Sequence, residues 1–162
     1  MRKPDPMVEV FLKPGELHFG GRDTRIRTIL GSCVSLVFWH PGRLLGGMCH
    51  YLLPTRRLGS PCDGLDGRYG DEAISLMIQA IHTQGLKPGE FRVRVFGGGN
   101  MFPDLSCQRA GKPIGQQNVE AARALIRSHC LQCVGAHVEG VGHRHLIFDV
   151  WSGRVTVRTA DD

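Results

Sequence analysis

A chain of 162 residues, 41% hydrophobic and 22% charged, has the make-up of one ordinary globular domain with room for a real core. It has no apolar run long enough to cross a bilayer and no signal-peptide pattern after Arg2 and Lys3, so a cytoplasmic location without membrane insertion is expected. A net charge of +5 is too mild to mark a nucleic-acid binder, and six cysteines are too few for a disulfide scaffold.

The chain is expected to form a single domain over 1–162, with 1–7 as a flexible end. Val8–Leu12 reads as a first strand, stopped by Pro14-Gly15. Thr24–Leu30 alternates, with Ile26, Thr28 and Leu30 on one face and Arg25 and Arg27 on the other. Val34–Trp39 and Leu44–Leu53 are β-prone runs separated by His40-Pro41-Gly42-Arg43, a hairpin signal. A helix is predicted over Asp71–Gln84: Ala73, Ile74, Met77, Ile78 and Ile81 fall at helical spacing, acids occupy the first turn and Gly85 follows the end. Phe91–Phe96 reads as a strand closed by Gly97-Gly98-Gly99, and a second helix is predicted over Gly115–His129 with Val119, Ala122 and Ile126 inward. Strands at Val134–Val138, His145–Val150 and Arg154–Arg158 complete an α+β layered domain, with a mixed or mostly antiparallel sheet and two main helices packed against it.

The stretch richest in chemistry is Thr28–Tyr51. If the hairpin turns between Pro41 and Gly42, cross-strand partners have numbers summing to 83, and Cys33 and His50 satisfy that sum. Their Cβ atoms would then lie about 4.5–5.5 Å apart on one face. A thiol is mostly protonated near neutrality and only the thiolate attacks, so an imidazole in reach supplies the base. Gly31 and Ser32 leave the backbone before Cys33 free to offer N–H donors to an oxyanion. Gly46-Gly47 on the return strand leaves room for a substrate chain, and Arg25, Arg27, Arg56 and Arg57 form a basic cluster able to steer an acidic partner.

Competing signals are weaker. Cys49 adjoins His50 and, in an extended strand, points away from Cys33. Cys130-x-x-Cys133 has zinc-like spacing, but His143-x-His145 is too closely spaced to complete the set, so core packing is expected for the two cysteines. Gly97-Gly98-Gly99 fits neither a dinucleotide fingerprint nor a Walker loop and reads as a tight turn.

The segments TILGSCVSLVFWHP and GGMCHYLLP resemble the signature of the chemoreceptor glutamine deamidase family (CheD). The likeness continues through FLKPGELHFG, RYGDEAISLMI, VRVFGGGNMF, IGQQNVEAARALI and LIFDVWSGRVTV, in order along nearly the whole chain. The resemblance implies hydrolysis of glutamine side-chain amides to glutamate on methyl-accepting chemotaxis receptors, with release of ammonia and no cofactor or metal. It implies Cys33 as nucleophile, His50 as base and Thr28 as the residue orienting the imidazole, with a Ser32 hydrogen bond as the alternative to Thr28. Gly31 and Ser32, from their turn, and Arg27, from the basic cluster, are expected on the substrate side. The resemblance also implies docking of a CheC-type phosphatase, so an adaptor with little catalysis is an alternative, as is another cysteine hydrolase or a transglutaminase. Cys49 before the histidine, and the stretch Gly140–His145 leading to Arg144, depart from the family's usual pattern.

Overall fold

The structure, a computed structural model, describes residues 2–60, 63–106 and 111–160. Strands β1 (Val8–Phe11), β3 (Thr24–Leu30), β8 (Arg144–Asp149) and β9 (Arg154–Thr159) form a four-stranded sheet in the order β1-β3-β8-β9. Strands β2 (Leu17–Gly20), β4 (Val34–His40), β5 (Leu45–Cys49), β6 (Arg92–Gly97) and β7 (Gln132–Val138) form a second, five-stranded sheet in the order β2-β5-β4-β6-β7. Helices α1 (Gly70–Thr83) and α3 (Ile114–Ser128) cover the outer face of that second sheet, and a short α2 spans Pro103–Ser106. Each sheet is mixed: β1 runs parallel to β3 and β6 parallel to β7, while the other pairs are antiparallel.

The α+β layered class holds, but with two stacked sheets where one was expected. Burial explains the layering. In β3, Ile26, Thr28 and Leu30 are fully buried while Arg25, Arg27 and Ile29 face outward, as in a sheet covered on one side. In β4, Val34, Ser35, Leu36, Val37 and Phe38 are all fully buried, as in a sheet covered on both. Val37, Met48 and Phe96 pack toward Ile26, Leu30, Leu146 and Phe148 of the first sheet. Leu36, Phe38, Cys49 and Tyr51 pack toward Ala73, Ile74, Met77 and Ile81 of α1 and Val119, Ala122 and Ile126 of α3. Each fully buried aliphatic or aromatic side chain here contributes about 1.5–3 kcal/mol.

Gly46 and Gly47 serve this packing and do not leave space for substrate. A Cβ at Gly46 would lie 2.8 Å from the Phe148 ring, and one at Gly47 would lie 2.6 Å from Met77 Cε. The short strand β2 and helix α2 were not anticipated, since each is four residues long with no periodicity to read.

Candidate active site

The β4–β5 hairpin pairs Val37 with Met48 and Phe38 with Gly47, and Val34 bridges to Tyr51, so partner numbers sum to 85 rather than 83. The loop is Pro41–Leu44: Leu44 takes a left-handed φ of 50° and its N–H donates to the His40 carbonyl at 2.9 Å. Cys33 and His50 are therefore diagonal neighbours and not directly opposed. A shift of two residues preserves the face, where a shift of one would have reversed it. Cys33 joins the apolar cluster of Val37 and Met48 between the sheets, and the even-numbered return residues Met48 and His50 share that side. Diagonal Cβ atoms lie about 7 Å apart or less, within reach of a ring side chain.

Thr28 reaches the same place from the facing sheet. Its Oγ1 lies 2.7 Å from His50 Nδ1 and donates its proton to the Leu12 carbonyl at 2.9 Å. With that proton committed to Leu12, Oγ1 accepts from His50, so Nδ1 carries the ring proton and Nε2 is left as the acceptor. Nε2 is buried and has no hydrogen-bond partner among the described residues. Burial holds the imidazole pKa down at about 4 and pushes the Cys33 thiol up. Both groups rest neutral at pH 7, on the same side of the β4–β5 hairpin.

The turn carrying the thiol is held by its carbonyls. Gly99 N–H donates to the Gly31 carbonyl at 2.9 Å, Gly98 N–H to the Cys33 carbonyl at 2.8 Å, and Asn118 Nδ2 to the Ser32 carbonyl at 3.0 Å. Asn118 Nδ2 also donates to the Leu52 carbonyl at 2.8 Å, tying the thiol turn to the segment after His50. Gly98 has φ +67°, and Gly115 at the start of α3 lies so close that a Cβ there would be 2.6 Å from the Gly98 carbonyl. The Gly97–Gly99 turn is thus wedged between α3 and the Gly31–Cys33 turn. With the three carbonyls occupied, the Ser32 and Cys33 N–H groups donate to no carbonyl among the described residues. A cavity of about 360 Å³ opens beside this turn, lined by Gly98, Gly99, Asn100, Gln116, Glu139 and Val141 among others.

Several sequence expectations are not met at the site. Arg27 points away from Thr28, on the outer face of its sheet, where it pairs with Glu9 at 2.9 Å and contacts His145. It does not join Cys33, because alternate strand residues face opposite ways. The expected basic cluster is divided and largely neutralised: Arg25 pairs with Asp149 and Arg56 with Glu72, each at 2.7 Å. Cys49 faces the helices as expected, fully buried, with its Sγ 3.9 Å from the Leu36 carbonyl and its thiol pushed up to about 11 by burial. Cys130 and Cys133 are exposed, not core: Cys130 follows α3 with φ 53°, and Cys133 lies on the edge strand β7. Asn118, which ties the thiol turn to the segment after His50, has no counterpart among the sequence expectations. Asn118 is a fully buried polar residue on the apolar stripe of α3, and that position was its readable signal.

A thiol turn, an imidazole with a free acceptor nitrogen and a hydroxyl bonded to that imidazole gather between the two sheets. Comparison with known proteins gives the chain a family. The model of the family described as CheD chemotactic sensory transduction matches residues 52–159, a segment that begins just after His50. The Probable chemoreceptor glutamine deamidase CheD of Pseudomonas fluorescens (strain SBW25) is 44% identical over 159 residues, covering 98% of this chain and 88% of its own. The Probable chemoreceptor glutamine deamidase CheD 3 of Dechloromonas aromatica (strain RCB) is 47% identical over 94% of this chain and 88% of its own. The corresponding CheD 1 of Leptospira interrogans serogroup Icterohaemorrhagiae serovar copenhageni (strain Fiocruz L1-130) is 33% identical over 96% and 95%. The solved Bacillus licheniformis hypothetical protein YfiH is 14% identical with a TM-score of 0.41, covering 78% of this chain and 49% of that one, a likeness too slight to bear on function. The chain belongs to the CheD family. No helix among the described residues is long and apolar enough to cross a membrane.

Proposed function

We propose that this chain is a protein-glutamine deamidase that hydrolyses glutamine side-chain amides on methyl-accepting chemotaxis receptors to glutamate, releasing ammonia. The observation that carries the reading is the Thr28–His50 hydrogen bond at 2.7 Å, which leaves Nε2 as an acceptor on the face that carries the Cys33 thiol. The relatives' names supply the substrate class. Action on cytoplasmic receptor helices and docking of a CheC-type phosphatase belong to the same proposal, carried by the family resemblance.

In the proposed cycle Nε2 takes the Cys33 proton as Sγ attacks the carboxamide carbon. The Ser32 and Cys33 N–H groups receive the developing oxyanion. The proton on Nε2 then passes to the departing nitrogen, ammonia leaves, and a thioester remains on Cys33. Nε2 next draws a proton from water, whose oxygen attacks the thioester and yields glutamate with the thiol restored. Because both groups rest neutral, proton transfer accompanies attack and no resting ion pair is required. The test is ammonia release from a purified receptor cytoplasmic fragment, with mass mapping of its glutamines. Turnover by the wild type and none by Cys33→Ala is expected. Equal turnover in Cys33→Ala, or cleavage of the receptor chain, overturns the reading.

A further inference from the structure

We infer that Ser35 is a positioning residue for the Cys33–His50 pair, donating its hydroxyl proton to the sulfur when the thiol proton moves to the imidazole. This rests on the deamidase reading's assignment of that pair. Ser35 is fully buried, and its Oγ has no hydrogen-bond partner among the described residues. Among the described residues four buried side-chain atoms share that condition, His50 Nε2 being another of them. Buried hydroxyls nearly always find partners, so two such atoms at one place point to a shared use.

The register brings them together. Val34 and Tyr51 exchange both backbone bonds, at 3.1 and 3.0 Å. One step along, Ser35 stands opposite His50, whose own N–H and carbonyl turn away to Glu16 and Gly15 at 3.1 and 2.8 Å. Ser35 and His50 are therefore a non-hydrogen-bonded pair, the kind whose side chains approach most closely. Ser35 is also two residues beyond Cys33 on the same strand face, about 6–7 Å along it, so a hydroxyl and a sulfur that lean together can meet.

The rest of that face offers the sulfur little else. Val37 and Phe96 flank Ser35, and the Thr28 hydroxyl is committed to Leu12 and His50. Of the nearby cations, Arg94 holds the Gly153 carbonyl, and Arg144 holds His137 and the Glu139 carbonyl through its two Nη atoms, with its buried Nε unpartnered. Arg92 lies toward the far end of the strand, over Trp39. Ser35 is thus the one hydroxyl donor the register supplies to a sulfur bared of its proton. Its own proton stays on Oγ throughout, and the thiol proton alone changes hands, from Sγ to Nε2.

The test needs no receptor. The rate of Cys33 alkylation by iodoacetamide, followed by peptide mapping to separate it from the other cysteines, gives its apparent pKa across a pH series. In Ser35→Ala that pKa is expected to rise by about 0.5–1 pH unit, with kcat on a receptor fragment falling about 3- to 10-fold at unchanged KM. Ser35→Thr keeps the hydroxyl and is expected to hold the wild-type value. An unchanged Cys33 profile in folded Ser35→Ala overturns the inference, as does an equal shift in Ser35→Thr. A Cys33 profile insensitive to His50→Ala as well removes the pair itself. An intact Ser35 effect without receptor turnover removes only the deamidase reading.

Discussion

Replacing Thr28 with valine keeps the shape of a fully buried side chain and deletes one oxygen. That oxygen bridges His50 Nδ1 at 2.7 Å and the Leu12 carbonyl at 2.9 Å, so its loss strands a buried donor and a buried acceptor together. Each stranded group costs about 1–3 kcal/mol, for an expected destabilisation of about 2–6 kcal/mol in urea unfolding. The catalytic effect has a separate origin. Without Oγ1 nothing holds the ring proton on Nδ1, and the tautomer protonated on Nε2 presents a donor to the thiol where a base is needed. A kcat loss of about 100-fold, or about 2.7 kcal/mol of barrier, is expected at unchanged KM, measured as ammonia release from a receptor fragment. Thr28→Ser restores the oxygen and should recover most of the rate. A folded Thr28→Val enzyme with wild-type kcat would falsify the assignment of Thr28 as the orienting group.

Further outcomes follow from the same geometry. Burial lowers the His50 pKa from 6.5 to about 4, so the unfolded chain takes up a proton that the folded chain refuses. About 3 kcal/mol of stability, fully present above pH 6.5, is lost as pH falls to about 4, and His50→Gln should flatten that part of the urea-unfolding profile. Cys49→Ala removes a sulfur on the helix side and should leave turnover intact while lowering stability by about 1–2 kcal/mol. Gly98→Ala sets a Cβ at positive φ against Val119 and 2.6 Å from the Gly115 carbonyl, so about 2–4 kcal/mol of stability and most activity should go together. Asn118→Ala frees the Ser32 and Leu52 carbonyls; kcat should fall through a loosened thiol turn, with a stability loss of about 1–3 kcal/mol by thermal unfolding.

Much of this architecture was legible because hydrophobic spacing is a local signal. The alternation of Thr24–Leu30 carried the strand and its inward Thr28, and the stripe Ala73, Ile74, Met77 and Ile81 carried α1. The two-sheet stacking was also written in the chain, as one alternating strand and one continuously apolar strand, but a single sheet was read from both. The hairpin register failed by two residues because Leu44, a residue expected to begin a strand, instead closes the turn at positive φ. Cys33 and His50 keep a common face because the slip is even. Tertiary partners were beyond local reading: nothing near Arg27 announces Glu9, and nothing near Ser32 announces Asn118, 86 positions away.

The account turns on a sulfur at position 33 that carries the substrate covalently. Rapid acid quenching during turnover of a receptor fragment, followed by peptide mapping, should find a thioester on the Cys33 peptide. It should accumulate when deacylation is slowed by low pH and vanish in Cys33→Ala. Turnover with no adduct on Cys33 under those conditions, or an adduct on Cys49 instead, contradicts it.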